Sequence, residues 1–232
     1  MSKCDLKIDW ATHDAARYAC EHWHYSGCLP AGKLVKVGAW ENSKFIGVVL
    51  FGRGANNHMA QAYGLRQDQA AELVRVALCK HVSPVSRIVA LAIKFLKRMS
   101  DGLCLIVSYA DPKQGHHGGI YQAGNWTYAG RSQAQRELII NGVFTHKRSA
   151  HAKWGTASPQ LIAAKTGLQV DWAPVEWKHI YLMPLDSEMR KKILPLARPY
   201  PKRAGSDTKD TPGFHPGEGG STPTPALHSP LA

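Results

Sequence analysis

The sequence predicts an α+β fold in which a mixed, mostly antiparallel sheet is flanked by helices. Two observations support this class. The elements follow the order helix, hairpin, strand, helix, strand, short helix and then further strands. A hairpin that leads into a strand–helix–strand crossover combines antiparallel and parallel pairing in one sheet, and helices then cover both faces of that sheet.

The first half of the chain supplies a helix, a hairpin and the crossover. Thr12 is a preferred N-cap residue, which predicts a helix over residues 13–23. Residues 33–40 and 45–51 are rich in β-formers and predict an antiparallel hairpin. The crossover comprises a strand over residues 72–79, a helix that starts at Ser83-Pro84 with Ser83 as its cap, and a buried strand over residues 103–107.

The second half predicts shorter elements and a tail. A short helix is expected over residues 118–123 and strands over 126–132 and 177–183. The Asn141-Gly142 pair predicts a tight hairpin, and Ser158-Pro159 caps a helix that ends near Gly167. Residues 196–232 hold seven of the 14 prolines and few large apolar side chains, which predicts a disordered tail after a folded domain of residues 1–195.

The charge balance favours a polyanionic partner. Lys and Arg number 29 against 17 Asp and Glu, and the net charge of +12 belongs mostly to the folded body. A basic globular surface of this kind is typical of nucleic-acid-binding proteins. No apolar run is long enough to cross a membrane, and five cysteines without a CxxC pair predict free thiols in a reducing cytosol. The sequence carries no signal for a particular oligomeric state.

Polar side chains are concentrated directly after the buried strand 103–107. Asp111-Pro112 ends this strand, because proline cannot donate a hydrogen bond to the ladder. His116, His117 and Tyr121 follow in a glycine-bordered loop. Polar groups at the carboxyl end of a buried strand are where α/β sheets place ligand chemistry, and an ordinary turn before a short helix is the alternative.

Two resemblances sharpen these expectations. The element order resembles that of the Gcn5-related N-acetyltransferases (GNAT proteins) over roughly residues 5–185. Five sequence blocks, in one order, resemble the Mom DNA-modification proteins of Mu-like bacteriophages: HYSGCLP at 24–30, GVVLFGRGA at 47–55, ELVRVAL at 72–78, PVSRI at 84–88 and SYADPKQGHHGGIYQAGNW at 108–126.

The second resemblance implies a phage enzyme with the acetyltransferase fold, acting in the cytoplasm of the bacterial host. It implies that adenine in double-stranded DNA is converted to its carbamoylmethyl (acetamido) form, which shields phage DNA from restriction. Two other functions stay open at this point. One is an N-acetyltransferase acting on a protein or a small amine, and the other is a catalytically inactive nucleic-acid-binding module.

The exocyclic amine of adenine is a poor nucleophile, so the chemistry needs a proton acceptor and donors that stabilise charge on the electrophile. Asp111 is the candidate general base or base-orienting group, with capping of the following turn as the alternative. Tyr121 is a candidate to protonate a leaving group or to bond a carbonyl, unless it faces the core. Arg75, in mid-strand, either faces the cleft and binds an anion or is paired by an acid such as Glu72.

The remaining site candidates come from the same blocks. His24, Tyr25 and Ser108 join the catalytic candidates through the resemblance. The base must also leave the duplex, usually by flipping onto an aromatic surface. Candidates for binding the flipped adenine are His116, His117, Asn125 and Trp126, with a core position as the alternative for Trp126. Gly118 and Gly119 would permit close approach of a ligand or phosphate to backbone amides.

The donor and any metal are less well defined by the sequence. The segment entering the central helix, residues 79–87, lacks the glycines with which acetyltransferases of this fold usually cradle coenzyme A. Lys80, His81 and Arg87 can still attract an anion there, so the donor is either acetyl-CoA or an aminoacyl donor such as glycyl-tRNA. His22, His24 and Cys28 could hold zinc or iron, but their spacing matches no ordinary pattern for a structural metal site.

A basic segment after the Asn141-Gly142 hairpin is the predicted DNA contact. It interleaves cations with an aromatic residue over positions 145–154. Such a segment can bind the phosphates around the flipped nucleotide. The alternative is that its cations are simply exposed to solvent on the arm of the hairpin. The candidate DNA-binding residues are Arg131, Arg136, Lys147, Arg148, Lys153 and Trp154.

Overall fold

A computed structural model describes residues 5–54, 58–134, 136–174 and 177–202 and is built around one seven-stranded sheet. Its strands are β1 (Leu6–Trp10), β2 (Leu34–Glu41), β3 (Lys44–Gly52), β4 (Ala70–Leu78), β5 (Leu105–Ala110), β6 (Thr127–Arg131) and β10 (His179–Pro184). Their spatial order is β1-β2-β3-β4-β5-β10-β6. All neighbours pair antiparallel except β4 and β5, which are parallel.

A second, three-stranded sheet lies in the segment between β6 and β10. It has the order β8-β7-β9, from β7 (Leu138–Ile140), β8 (Val143–Thr145) and β9 (Val170–Trp172). The helices are α1 (His13–Trp23), α2 (Val85–Arg98), α3 (Gly119–Gln122), α4 (Lys147–Trp154), α5 (Pro159–Thr166) and α6 (Ser187–Ile193). Within the described ranges, no helix is long and apolar enough to span a bilayer.

Alternation along the strands explains why helices cover both faces of the large sheet. On β3, Val48 and Leu50 are buried against α1, whereas Val49 and Phe51 belong to the core that contains α2. On β5, Leu105 and Val107 pack with α6, in a third cluster. Because successive strand residues point to opposite faces, α2 covers one face and α1 and α6 cover the other. The predicted α+β class and mixed sheet are confirmed.

Several predicted elements are confirmed by their local signals. Thr12 caps α1 by accepting a hydrogen bond from the Ala15 amide, and Ser158 caps α5 in the same way through the Leu161 amide. Asn141 and Gly142 both have positive φ and join β7 to β8. The prediction that Ser83 caps α2 is wrong. Pro84 holds the cap position, and the Ser83 amide donates instead to the Glu41 carboxylate.

The predicted domain boundary at residue 195 stays a prediction, and residues 203–232 of the expected tail lie outside the described ranges. Residues 198–202, within them, contact the folded body. The Arg198 amide donates to the Tyr128 carbonyl (2.8 Å), and the Tyr200 hydroxyl donates to the Trp126 carbonyl (2.6 Å). Gln122 also donates its side-chain N–H to the Pro201 carbonyl (3.3 Å).

These contacts predict different outcomes for two truncations. A chain ending at Lys202 should melt at the same temperature as the full chain, because every contact named above is kept. A chain ending at Ala197 should melt several degrees lower, since each lost hydrogen bond contributes about 1 kcal/mol. Thermal unfolding followed by circular dichroism measures both, and equal melting temperatures for the two truncations would contradict the account.

Candidate functional site

Strands β4 and β5 separate part of the way along their length. Their parallel pairing runs from Ala70 and Leu105 to Leu73 and Ser108, yet β4 continues to Leu78 and β5 to Ala110. A register irregularity in the pairing of β3 with β4 falls between Leu73 and Arg75. Beyond Leu73 and Ser108 the two strands are no longer paired with each other, and we call the region bordered by the second half of β4 and the carboxyl end of β5 the cleft.

A buried chain of hydrogen bonds closes the base of this cleft. The Ser108 hydroxyl lies 2.9 Å from the Leu73 carbonyl oxygen and 2.8 Å from the Tyr121 hydroxyl. A serine hydroxyl has one proton and a carbonyl can only accept. Ser108 therefore donates to Leu73, and Tyr121 donates to Ser108. The chain joins α3 to both strands at the residue pair where their ladder ends.

Tyr121 is both a core residue and a hydrogen-bond donor. Its ring packs against Trp126 and Tyr181, with centroids 5.0 Å away in each case. Burial raises the pKa of Tyr121 to about 12, although the hydrogen bond with Ser108 opposes the shift. The phenol therefore keeps its proton throughout the physiological pH range. Core packing and a role as donor, the two alternatives considered for this residue, are compatible here.

The loop after α1 brings aromatic and cationic groups to the mouth of the cleft. Arg75 donates a hydrogen bond to the Cys28 carbonyl and so ties this loop to β4. The rings of His24 and Tyr25 lie 4.2 Å apart, and Tyr25 meets the edge of the His116 ring at 5.3 Å. His24, Tyr25, Arg75 and His116, which were predicted from three separate blocks, thus form one cluster.

His24 is neutral in this cluster. Burial lowers its pKa to about 4, and the charges of Arg75 and His116 act in the same direction. The Ser26 amide donates to Nδ1 of His24 (3.2 Å), so the proton of the neutral ring is on Nε2. His24 therefore offers an N–H donor rather than a basic nitrogen. Burial and the charge of Asp111 together raise the pKa of Tyr25, which keeps its phenol protonated as well.

Asp111 lies at the end of β5 with its two oxygens in different environments. Oδ1 accepts from the Lys113 amide (3.0 Å), so the residue does cap the following turn. Oδ2 lies 3.7 Å from Nζ of Lys178, an ion pair that is partly exposed. The capping alternative is thus realised by one oxygen, whereas the second points to the side of the sheet where β10 begins. Lys178 was not predicted from the sequence, because it precedes β10 and becomes a neighbour of Asp111 only through the β5–β10 pairing.

Other predicted substrate contacts are placed differently. Trp126 is only 2% exposed within the main core, so the prediction that it stacks on a flipped base is wrong. Asn125 is exposed and adopts a positive φ in the turn before β6.

The space beside Gly118 is filled by the Tyr181 ring, which a Cβ on Gly118 would meet at 2.2 Å. Gly118 therefore permits close packing of a side chain rather than of a ligand. The His117 carbonyl accepts from the Tyr181 hydroxyl (2.6 Å).

The predicted donor site before α2 contains a carboxylate of the protein itself. Glu41, at the end of β2, accepts hydrogen bonds from the amides of Val82 (2.9 Å) and Ser83 (2.6 Å) and is only 7% exposed. Pro84 itself has no amide proton to offer a ligand. The two amides that precede it are already bound by Glu41. His81 directs Nδ1 to the Cys79 carbonyl (2.6 Å). Lys80 and Arg87 are exposed on either side of this segment.

Glu41 should make stability depend on pH in the acid range. Burial alone would raise its pKa, but the hydrogen bonds from Val82 and Ser83 prevail and lower it from 4.5 to about 2. Because the folded-state pKa is depressed, the stabilisation is fully present above about pH 4.5 and is lost as the pH falls through 2. Glu41→Gln should therefore lower the melting temperature at pH 7, and the difference from the wild type should shrink towards pH 2. A difference that does not change with pH would contradict this assignment.

The predicted DNA-binding residues lie mainly on the insertion between β6 and β10. The basic segment forms helix α4, which was not predicted, and packs through Ala150 on a small core of its own. Trp154 is half-buried against this core, so only part of its ring is free to stack. The cations pair with rings: Arg131 lies 3.9 Å from Trp177, Lys147 5.0 Å from Trp172 and Lys153 4.7 Å from Trp154. Arg136 is exposed, and Arg148 lies in α4.

The possible metal ligands are not brought together. Nδ1 of His22 lies 2.9 Å from the Tyr18 carbonyl oxygen, and the ring stacks on Tyr18. Cys28 is exposed, and its sulfur lies 3.9 Å from an Arg75 nitrogen. Across the described ranges, no group of three or more His, Cys, Asp or Glu side chains is arranged to hold a metal ion.

Comparison with known proteins gives a consistent picture. The sequence pattern of the Mom protein family matches residues 5–202. The chain is 24% identical, over 207 residues, to the methylcarbamoylase mom of Escherichia phage Mu, covering 85% of this chain and 84% of that protein. The fold resembles that of a putative acetyltransferase from Acinetobacter baylyi ADP1 (TM-score 0.42, 13% identity, 80% of this chain and 95% of the other). It also resembles a Bacillus subtilis acetyltransferase solved in complex with CoA (TM-score 0.40, 11% identity, 79% and 100%).

Proposed function

Because the chain belongs to the Mom protein family, we propose that it is a transferase that modifies adenine in phage DNA. The product is the carbamoylmethyl form of the exocyclic amine, and its role is to protect the DNA from host restriction. The observation that carries the proposal beyond family membership is the cluster of His24, Tyr25, Arg75 and His116 at the mouth of a cleft that ends at Asp111.

Asp111 is the proposed proton acceptor. The lone pair of the adenine amine is delocalised into the ring, so a new bond to this nitrogen requires a base that removes a proton as the bond forms. Asp111 lies at a strand end, and its Oδ2 contacts only the partly exposed Lys178 among the ion pairs of the described residues. This oxygen can exchange the lysine for the substrate amine, while Oδ1 stays fixed by the Lys113 amide. Lys178 then stabilises the carboxylate between turnovers.

Arg75 and His24 are the proposed stabilisers of the electrophile. Nucleophilic attack on the carbonyl carbon of the donor forms an N6-acyladenine and releases the CoA thiol or the tRNA hydroxyl. The attack moves negative charge onto the carbonyl oxygen, and fixed donors in a partly buried cleft stabilise such charge strongly. Arg75 supplies a permanent cation, and neutral His24 supplies an N–H from Nε2. Tyr25 and His116, whose rings meet edge to face, provide an aromatic surface for the flipped adenine.

Tyr121 and Ser108 serve the same reaction from the base of the cleft. Tyr121 is a phenol with a pKa of about 12, so it can donate a hydrogen bond or a proton to a leaving group and recover it afterwards. Ser108 orients the phenol and holds β4 beside β5 through Leu73. Reaching a substrate requires the phenol to leave Ser108 or to act through it.

The donor is an acyl or aminoacyl compound, with acetyl-CoA and glycyl-tRNA as the two candidates. Glu41 bears on the choice, because a diphosphate that approached the amides of Val82 and Ser83 would meet a buried carboxylate. A donor carrying a diphosphate must therefore bind elsewhere or displace Glu41. Glycyl-tRNA already contains the nitrogen that the product needs, whereas acetyl-CoA does not. Glycyl transfer gives N6-glycyladenine, an isomer of the carbamoylmethyl form, so a rearrangement that moves the bond from the carbonyl carbon to the methylene carbon must follow the transfer.

Restriction analysis tests the proposed function. Plasmid from cells that express the chain should resist endonucleases whose sites contain adenine, because a substituent on the amine projects into the major groove, where bases are read. Matched endonucleases whose sites contain only G and C should cleave the same plasmid fully. Full cleavage by every adenine-reading endonuclease would count against DNA as the substrate.

A further inference from the structure

Residues 132–178 form an insertion between β6 and β10. It is attached beside the carboxyl end of β5, where the candidate site lies, because His179 at the start of β10 pairs with Ala110. Its two ends are joined by hydrogen bonds from the Ser132 amide to the Lys178 carbonyl (2.8 Å) and from the Lys178 amide to the Ser132 hydroxyl (2.9 Å). Lys178 is also the ion-pair partner of Asp111. A macromolecule bound at Asp111 therefore lies beside the root of the insertion.

The β7–β8 hairpin of this insertion has a rigid turn. Asn141 and Gly142 have φ values of 48° and 78°, the pairing of positive angles that matches the twist of a tight hairpin. The turn is also fixed to the segment before β9. The Asn141 amide donates to the Gln169 carbonyl (2.9 Å), and Oδ1 of Asn141 accepts from the Gln169 amide (3.0 Å).

Two apolar side chains directly after this turn face solvent. Val143 is 65% exposed and Phe144 is 47% exposed, and we call this pair the hairpin tip. Phe144 pairs with Ile139, on the opposite face of the small sheet from Leu138 and Ile140. Leu138 and Ile140 are buried in a small core with residues of α4 and α5. The Phe144 ring therefore contributes nothing to the core of the insertion, and its exposure needs another explanation.

The insertion that carries the hairpin tip is cationic overall. Residues 136–174 contain five Lys or Arg and two Asp or Glu. One of the two acids, Glu137, is used internally, because its carboxylate accepts from the Lys147 amide (2.7 Å) and lies 3.6 Å from His146. The His146 ring also meets Phe144 edge to face at 5.1 Å. An apolar tip on an insertion with net positive charge is complementary to duplex DNA, which has an anionic exterior and an apolar stack of bases.

We propose that Phe144 inserts into the base stack of duplex DNA and fills the gap that the target adenine leaves. This inference rests on the proposed function only in naming adenine as the displaced base. Flipping a base out costs a few kcal/mol of stacking and pairing, and an inserted apolar side chain restores part of that loss. A tip held by a rigid turn suits this task, since little further ordering is needed on binding.

A binding experiment tests the insertion without requiring the donor. Dissociation constants are measured by fluorescence anisotropy for an intact duplex and for the same duplex with one abasic site, in which the gap already exists. The wild type should bind the abasic duplex roughly 10-fold or more tightly than the intact one, because the cost of flipping is removed. In Phe144→Ala this preference should fall to within about 2-fold, whereas Phe144→Leu should keep most of it.

Leu161 provides a matched control, because it is an apolar side chain of the same insertion that is 54% exposed on α5. Leu161→Ala should leave the preference for the abasic duplex unchanged. In cells, Phe144→Ala should lower adenine modification by about 10-fold or more, since unassisted flipping is rarer. Circular dichroism should show both alanine variants folded.

Two results would overturn the proposed insertion of Phe144 into the base stack. An abasic preference that survives in Phe144→Ala contradicts it directly. Equal weakening on both duplexes would make Phe144 an ordinary surface contact. If the wild type modifies no adenine but shows the Phe144-dependent abasic preference, the proposed function fails and the insertion stands.

Discussion

Replacing Asp111 by Asn is expected to lower adenine modification by about 100-fold or more. The amide cannot accept the proton that the adenine amine must lose, and proton transfer by a positioned side chain typically contributes a factor of this size. The fold should be kept, because Oδ1 of Asn can still accept from the Lys113 amide and cap the turn after β5. The measurement is the fraction of modified adenine in plasmid DNA, together with the melting temperature of the purified variant.

Asp186 offers a matched control for this substitution. Asp186 follows strand β10 and caps helix α6, because its Oδ1 accepts a hydrogen bond from the Met189 amide (2.7 Å). Asp186→Asn should leave both modification and melting temperature close to those of the wild type. Near-normal modification by Asp111→Asn would remove this carboxylate from the mechanism and leave it as a turn cap with an ion pair.

The second large effect is expected from Tyr121→Phe, which should lower modification by roughly 100-fold. The change removes only the hydroxyl that donates to Ser108, whereas the Ser108 bond to the Leu73 carbonyl can persist. The ring can still pack between Trp126 and Tyr181, so the loss of stability should be close to that of one buried hydrogen bond, about 1 kcal/mol. DNA affinity, measured by anisotropy, should stay within a few-fold of the wild type.

Tyr63→Phe separates the chemistry of Tyr121 from the general effect of deleting a phenol. Burial raises the pKa of Tyr63 to about 12 as well, but this ring packs with the cluster around α6 and not in the cleft. The control should modify DNA normally. If Tyr121→Phe and Tyr63→Phe lost activity equally, or if neither did, Tyr121 would have no specific role in the reaction.

Local signals in the sequence were sufficient for much of the fold. Caps and tight turns depend on a few neighbouring residues, so Thr12, Ser158 and the Asn141-Gly142 pair could be assigned from the sequence. The carboxyl end of β5 could be predicted as a site for a similar reason, because Asp111-Pro112 both ends the strand and supplies the carboxylate.

Contacts between distant segments could not be predicted in this way. Ser83 looks like a helix cap, but its amide is bound by Glu41, 42 residues earlier in the chain. The ring of Trp126 looks available for stacking, yet tertiary packing buries it beside Tyr121. Lys178 approaches Asp111 only because β10 pairs with β5. Each of these facts depends on sheet topology, which the local pattern does not specify.

The same limit applies to the insertion. Its helix α4 was missed because its first turn contains no acidic residue and its sequence has few apolar positions with helical spacing. Its cations were recognised from composition. The contacts of Arg131 with the Trp177 ring and of Lys147 with the Trp172 ring join segments that are distant in the sequence, and they were not predicted.

Nucleoside mass spectrometry is the direct test of the claim that the cleft between β4 and β5 modifies adenine in DNA. Plasmid DNA is digested to nucleosides from cells that express the wild type, Asp111→Asn or no protein. We expect a new adenine nucleoside, heavier by one carbamoylmethyl group, in the wild-type sample alone. Unmodified adenine in the wild-type sample, with acetylated protein in the same cells, would contradict the claim and favour an N-acetyltransferase.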